Sequence, residues 1–349
     1  MQAHLTLDGF TLGTTCKAGG FSMPGYHVWC GAVIEAEDGK FHLFASRWKK
    51  DYPFTAWVTN SEIIRAVASS PDEPFHFEEV VLGQREEFYW DARSVHNPVI
   101  IKNPKGGYLL YYSGTTFKGD LNTVPPKGKK HYKQWLEAWN QQTIGVATAP
   151  AITGPWLRRD KPLLSPRPGK WDAIITTNPS VTYDPKLGWV MLYKSIEKPY
   201  VGDSLPAPFR FGICRSDNPE GPFTRLQDGP LFSGIMDADL EDPFIWHNGE
   251  CLEMLAKDMN GAIAGVPRAG IRSWSHDGIH WEFPNDPCFY KRSLNWDDGS
   301  RSEQDFLERV WLLCKEGKPS HLYFATGNSG EGYFDIQDSS NIAVQLKRV

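Results

Sequence analysis

Along this chain, short apolar runs alternate with clusters of Gly, Pro, Asn and Asp, and no stretch holds the apolar period of a long amphipathic helix. One arrangement recurs five times: an apolar strand, a tight turn, and a second apolar strand ending in small or polar residues. It occupies 28–47, 96–114, 178–195, 241–258 and 308–326. Asp38-Gly39, Lys105-Gly106-Gly107, Asn248-Gly249 and Glu316-Gly317 are the residues that tight hairpins demand at four of these turns. Four units continue into a third strand, a Pro/Gly/Asp turn and an aromatic that opens a fourth strand, at 63–77, 143–157, 211–225 and 270–283.

The fifth unit ends on a single strand, 341–349, so its outer strand is expected from residues 1–15. Five units of four antiparallel strands predict an all-β chain folded as a five-bladed β-propeller. No linker or change of composition divides it, so 1–349 reads as one domain. The large departure is 118–142, where Pro-Pro, a basic run and HYKQWLEAWNQQ predict an inserted loop with a short helix. An insertion of that length is expected to cover a site or a partner surface.

Composition narrows the classes. A net charge of −5 and a pI near 6.1 lack the basic footprint of a nucleic-acid binder. No apolar run approaches the ~18 residues of a membrane span. No signal peptide is visible in 1–20, so a cytoplasmic location is expected. The six cysteines form no CxxC pair, and Cys214, Cys251 and Cys314 sit in apolar strands, where buried free thiols are expected. Aromatic residues are in excess, with 14 Trp, 13 Tyr and 19 Phe. Trp156 and Trp281 occupy the repeated outer-strand position and read as core. Trp29, Trp90 (with Asp91 beside it) and Trp296 are placed in or next to loops, where an indole can stack on a sugar ring.

In a propeller the first strand of each blade lines the central axis, and its start faces one mouth. Those starts are Trp29-Cys30, His96-Asn97, Thr177-Asn178, Glu241-Asp242 and Glu308-Arg309. The second-strand ends nearby are Arg47, Ser113, Lys194, Lys257-Asp258 and Thr326. Charges gathered around a narrow axis must be hydrated, paired or used. Glu241 and Glu308 open adjacent blades, with Asp242 and Asp258 beside them, so acids remote along the chain gather near the axis. His96, Asn97 and Asn178 are candidate hydrogen-bonding contacts. Arg47, Lys194, Lys257 and Arg309 either neutralise the acids or recognise a uronate, sulfate or phosphate on the substrate. No loop has the alternating Asp/Asn spacing of a dedicated calcium site, so no metal or cofactor is assigned, although the axial acids could hold a structural Ca²⁺.

The architecture and these strand starts resemble the five-bladed glycoside hydrolases, above all family 43 and its relatives in families 32 and 117. The resemblance spans the whole chain. Glu241-Asp242-Pro243 matches the position of the family 43 general acid, which implies that role for Glu241. Glycoside hydrolysis uses two carboxyl groups, ~5–5.5 Å or ~6.5–9.5 Å apart, so the resemblance implies Glu241 and Glu308 as the catalytic pair, Glu308 as base or nucleophile, with Asp242 and Asp258 in reserve. At the two positions of the family aspartates this chain has Trp29-Cys30-Gly31 and Asn178. The expected function is cleavage of an oligosaccharide, exo-acting if the second-blade insertion walls off one side. A glycoside phosphorylase of the family 130 type and a non-catalytic carbohydrate-binding propeller are the alternatives.

Overall fold

The computed structural model describes residues 5–119, 133–201, 205–329 and 332–349. Five sheets, antiparallel apart from one edge pairing in the fifth, are arranged as the blades of a five-bladed propeller. The first blade is built from Tyr26–Glu35, Phe41–Lys49, Glu62–Ala68 and His76–Leu82. The second comprises Ser94–Lys102, Tyr108–Thr115, Thr143–Ala149 and Leu157–Arg158. Thr177–Asp184, Gly188–Ser195, Arg210–Ser216 and Thr224–Arg225 form the third. The fourth holds Leu240–His247, Leu252–Asp258, Ala269–Ser275 and Cys288–Tyr290.

The fifth blade starts with Phe306–Lys315, Lys318–Asn328 and Asp338–Arg348. Phe10–Thr15 pairs antiparallel with the last of these, so the N-terminal segment supplies the fourth strand, as its single-strand ending required. Here the expectation of four strands per blade falls short. A hairpin of Ser293–Trp296 and Arg301–Glu303 adds to the outer edge in parallel with Phe10–Thr15, which makes six strands. The outer strand of the fourth blade also differs from expectation, lying at Cys288–Tyr290 rather than at Trp281. Asp277 Oδ1 accepts the N–H groups of Ile279 and His280, and Trp281 donates to Gly278 O. That local turn uses up the first aromatic and leaves it a single bridge, Trp274 to Glu282.

Two repeated devices position the interior. In the third strands, Gly145, Gly212 and Gly270 leave room for the rings of Trp90, Tyr193 and Tyr290, which a Cβ would overlap. In every first strand the pairing slips by one residue at the same place. The slipped residues, Cys30, Asn97, Asn178, Asp242 and Arg309, all have φ between 50° and 57°. A bulge of this kind breaks the alternation of a strand and re-aims a side chain. Consecutive residues such as Glu241 and Asp242, or Glu308 and Arg309, therefore both face the axis. Asn and Asp tolerate the left-handed region better than most residues. Pro98, Pro179 and Pro243 follow three of the five bulges.

Candidate active site

The five bulge residues form the floor of an axial funnel. The Cys30 thiol donates to Asn97 Oδ1 (3.0 Å), Asn97 Nδ2 to Asn178 Oδ1 (2.9 Å), and Asn178 Nδ2 to Asp242 Oδ1 (2.6 Å). Arg309 closes on Asp242, with its backbone N–H 3.1 Å from Oδ2 and Nη1 3.6 Å from Oδ1. Burial pushes the Cys30 thiol up, against the pull of the Arg309 charge, so it remains an S–H donor. The third and fifth blades thus deliver hydrogen bonds and charge to a single buried carboxylate, Asp242.

Above the floor lie Glu241, Glu308 and two lysines. Lys257 Nζ is 2.7 Å from Glu241 Oε2 and 2.7 Å from Glu308 Oε1, and 3.8 Å from Asp242. The facing oxygens of Glu241 and Glu308 are therefore no farther apart than twice the shorter distance. Lys194 Nζ meets the other oxygen of Glu241 at 2.6 Å. The two glutamates differ in what compensates them. Burial disfavours the charge on Glu241, but Lys194 and Lys257 outweigh it and hold that carboxyl well below its usual range. Glu308 shares only Lys257. Burial raises it, Lys257 opposes, and the charges of Asp242 and Glu241 add to the rise, so of the two glutamates Glu308 takes up a proton first as pH falls. Burial works against the Lys257 ammonium, yet Glu241, Glu308 and Asp242 keep it charged.

The funnel encloses about 340 Å³, near the lower end of the ~300–1,000 Å³ of ligand pockets. Its walls are aromatic: Trp29, Trp57, Trp135, Trp139, Tyr200, Phe209 and Tyr333. Trp135 and Trp139 come from the helix Lys133–Trp139, within the insertion that was expected to cover a site. The Trp135 indole donates to Thr55 O at 2.9 Å, which ties that helix to the short helical turns Phe54–Ala56 and Trp57–Asn60 that bear Trp57. The rest of the insertion, 120–132, falls outside the described residues. His96 lies beneath Trp57, ring centroids 4.8 Å apart, with Nδ1 3.0 Å from Ser61 Oγ. Burial, helped by the Arg309 and Lys194 charges, lowers its pKa far enough that the imidazole is neutral. Met259 and Arg268, from the loop after the second strand of blade 4, complete the mouth.

Trp29, His96, Asn97, Asn178, Lys194, Glu241, Asp242, Lys257, Glu308 and Arg309, all expected at the site, line this one funnel. Five other candidates do not. Arg47 turns away to pair with Glu62 at 2.8 Å. The Asp258 carboxylate is consumed by the N–H groups of Gly261, Ile263 and Ala264, so it is no reserve base. Trp90 is wedged against Gly114 and Gly145 and stacked on Tyr112, and Asp91 is buried with Arg85, Arg158 and the Tyr112 hydroxyl. Trp296 packs on the outer edge of the fifth blade, its indole donating to Ser302. Residues passed over in the sequence include Trp57, Tyr200, Phe209, Arg268 and Tyr333, which lie in connecting segments outside the repeat. Among the described residues, no cluster of three or more His, Cys, Asp or Glu could hold a metal ion. All six cysteines are free, with Cys214 and Cys251 buried and Cys314 partly so.

No family model matches the chain, and no curated protein does so significantly. Solved structures do share the fold. Zg3597, a family 117 glycoside hydrolase from Zobellia galactanivorans, superposes with a TM-score of 0.62 at 15% identity, over 97% of this chain and 90% of that one. A thermostable family-43 glycoside hydrolase gives 0.58 at 13% identity, over 96% and 92%. An inulosucrase from Halalkalicoccus jeotgali bound to kestose gives 0.60 at 14% identity, over 90% and 78%. The class defined is therefore the five-bladed propeller used by glycoside hydrolases and related enzymes. At these identities the likeness concerns the fold.

Proposed function

We propose that the funnel cleaves a terminal glycosidic bond of an oligosaccharide. Glu308 is the proton donor and Glu241 the nucleophile, the reverse of the roles implied by resemblance. The observation that carries this reading is the single ammonium, Lys257, on which both carboxyl groups end while only Glu241 has a second cation. Facing oxygens that meet on one ammonium lie closer than the ~6.5–9.5 Å of an inverting pair, which suits retention of configuration. Glu308 gives its proton to the leaving oxygen, and Glu241 attacks the anomeric carbon to form a glycosyl ester. Glu308, now ionised, takes a proton from water, which hydrolyses that ester. The aromatic walls supply stacking faces, and the inulosucrase of the same fold is a carbohydrate-bound example.

Glu308→Gln and Glu241→Gln should each remain folded and lose about 10²–10⁴-fold in kcat/KM on a panel of aryl glycosides and oligosaccharides. Normal turnover by either variant would remove that residue from the chemistry, and an inverted product anomer by NMR would exclude Glu241 as nucleophile. The neutralising position of Lys257 favours one rival, a propeller that binds sugars without cleaving them. Calorimetric binding of an oligosaccharide that is recovered intact would establish that rival.

A further inference from the structure

The cations lining the funnel are not alike. Lys194 is paired with Glu241, Lys257 with Glu241 and Glu308, and Arg309 with Asp242. Arg268 also lines the cavity, yet among the described residues it has no acidic partner. Its guanidinium lies over the Phe306 ring, 4.7 Å from the centroid. Three carboxyl groups and four cations thus line the cavity, so the pocket of an acidic protein carries surplus positive charge. Phe306 and Glu308 share one face of their strand, ~7 Å apart along it. Phe306 precedes Glu308 at the start of that strand, which faces the mouth, so Arg268 lies on the mouth side of Glu308.

The loop that presents Arg268 is built to hold it. Its backbone N–H donates to Asp258 O (2.6 Å), while the Asp258 carboxylate accepts three N–H groups within the loop. Arg268 itself has φ 63°, a left-handed conformation that costs a non-glycine residue energy and persists where surroundings enforce it. Asp258 is in this sense a positioning residue for Arg268.

We propose that Arg268 is a specificity-determining residue that binds the carboxylate of a uronosyl unit, making the substrate an acidic oligosaccharide; this rests on the glycosidase reading of the funnel. A guanidinium pairs with a planar carboxylate through two parallel hydrogen bonds, which a neutral hydroxymethyl group cannot reproduce.

The test is calorimetric titration of the full-length protein with glucuronosyl and galacturonosyl disaccharides, their methyl esters and inorganic phosphate. At least one acid should bind about ten- to a hundredfold more tightly than its ester. Arg268→Met should abolish that preference, Arg268→Lys should restore part of it, and the surface control Arg215→Met should leave it intact. Three results would overturn the proposal: no acid binds, an ester binds as well as its acid, or the preference survives in Arg268→Met. Phosphate binding with the same dependence on Arg268 would also overturn it, since the anion would then be a phosphorolytic co-substrate. Turnover separates this from the parent reading. Cleavage of neutral aryl glycosides without uronoside binding sinks the proposal alone. Arg268-dependent binding of uncleaved uronosides sinks only the glycosidase reading.

Discussion

Glu241 and Glu308 occupy the same place in adjacent blades, yet their protonation differs because Lys194 reaches only one of them. The raised pKa of Glu308 has a kinetic consequence. A proton donor works while protonated, so kcat/KM should fall as pH rises through that raised value, and the limb should vanish in Glu308→Gln. Glu241 stays ionised well below that range and adds no limb near neutrality. His27 gives a separate prediction for stability. Burial, with help from the Lys50 charge, lowers it to about 4. The unfolded chain takes up that proton near ~6.5 while the folded protein refuses it. This contribution is fully present above the unfolded value and is lost as pH falls towards the folded one. His27→Phe, packed against Trp48 and Phe54, should therefore lose less urea stability than the parent between pH 7 and pH 4.5. Parallel losses would rule His27 out as a contributor.

At the scale of the element, the recurring slip in each first strand does the most. It turns a two-residue repeat into a pair of inward-facing side chains, and three of the five slips are written as Asn-Pro or Asp-Pro. The hairpin turns were equally legible, with Gly39, Gly106, Gly107, Gly249 and Gly317 all at positive φ. Less legible was the outer strand of the fourth blade. Gly270 needs an aromatic ring above it, and Tyr290 rather than Trp281 meets that need. The same reasoning makes Trp90 a packing residue. Gly145→Ala should clash with its indole and lower stability by about 1–3 kcal/mol in urea unfolding. A parent-like midpoint would mean that the indole moves aside freely.

For the whole molecule, the ring is closed by Phe10–Thr15, which joins the end of the chain to an edge hairpin. Deleting residues 10–15 should leave the first four blades' pairing intact but expose the edge of Asp338–Arg348. The expected readout is a lower urea midpoint with faster hydrogen exchange concentrated in the fifth blade. Exchange that rises uniformly would show closure to be shared round the ring instead.

Reading order along the chain was enough for the blade count, for closure by the N-terminal segment and for placing Glu241, Asp242, Glu308 and Arg309 at one axis. These follow from local rules: an apolar period of two, turn residues that accept positive φ, and a repeat whose positions correspond. Which charges would neutralise each other lay beyond such rules, because Lys257 joins acids far apart in the chain at distances that depend on blade packing. The fates of Arg47, Asp91 and Asp258, drawn off by neighbours outside the funnel, were hidden for the same reason, as was the arrival of Trp57, Tyr200 and Arg268 from segments without a repeat. Side-chain direction is local in a regular strand, but partnership between charges is set by where remote backbones come to rest.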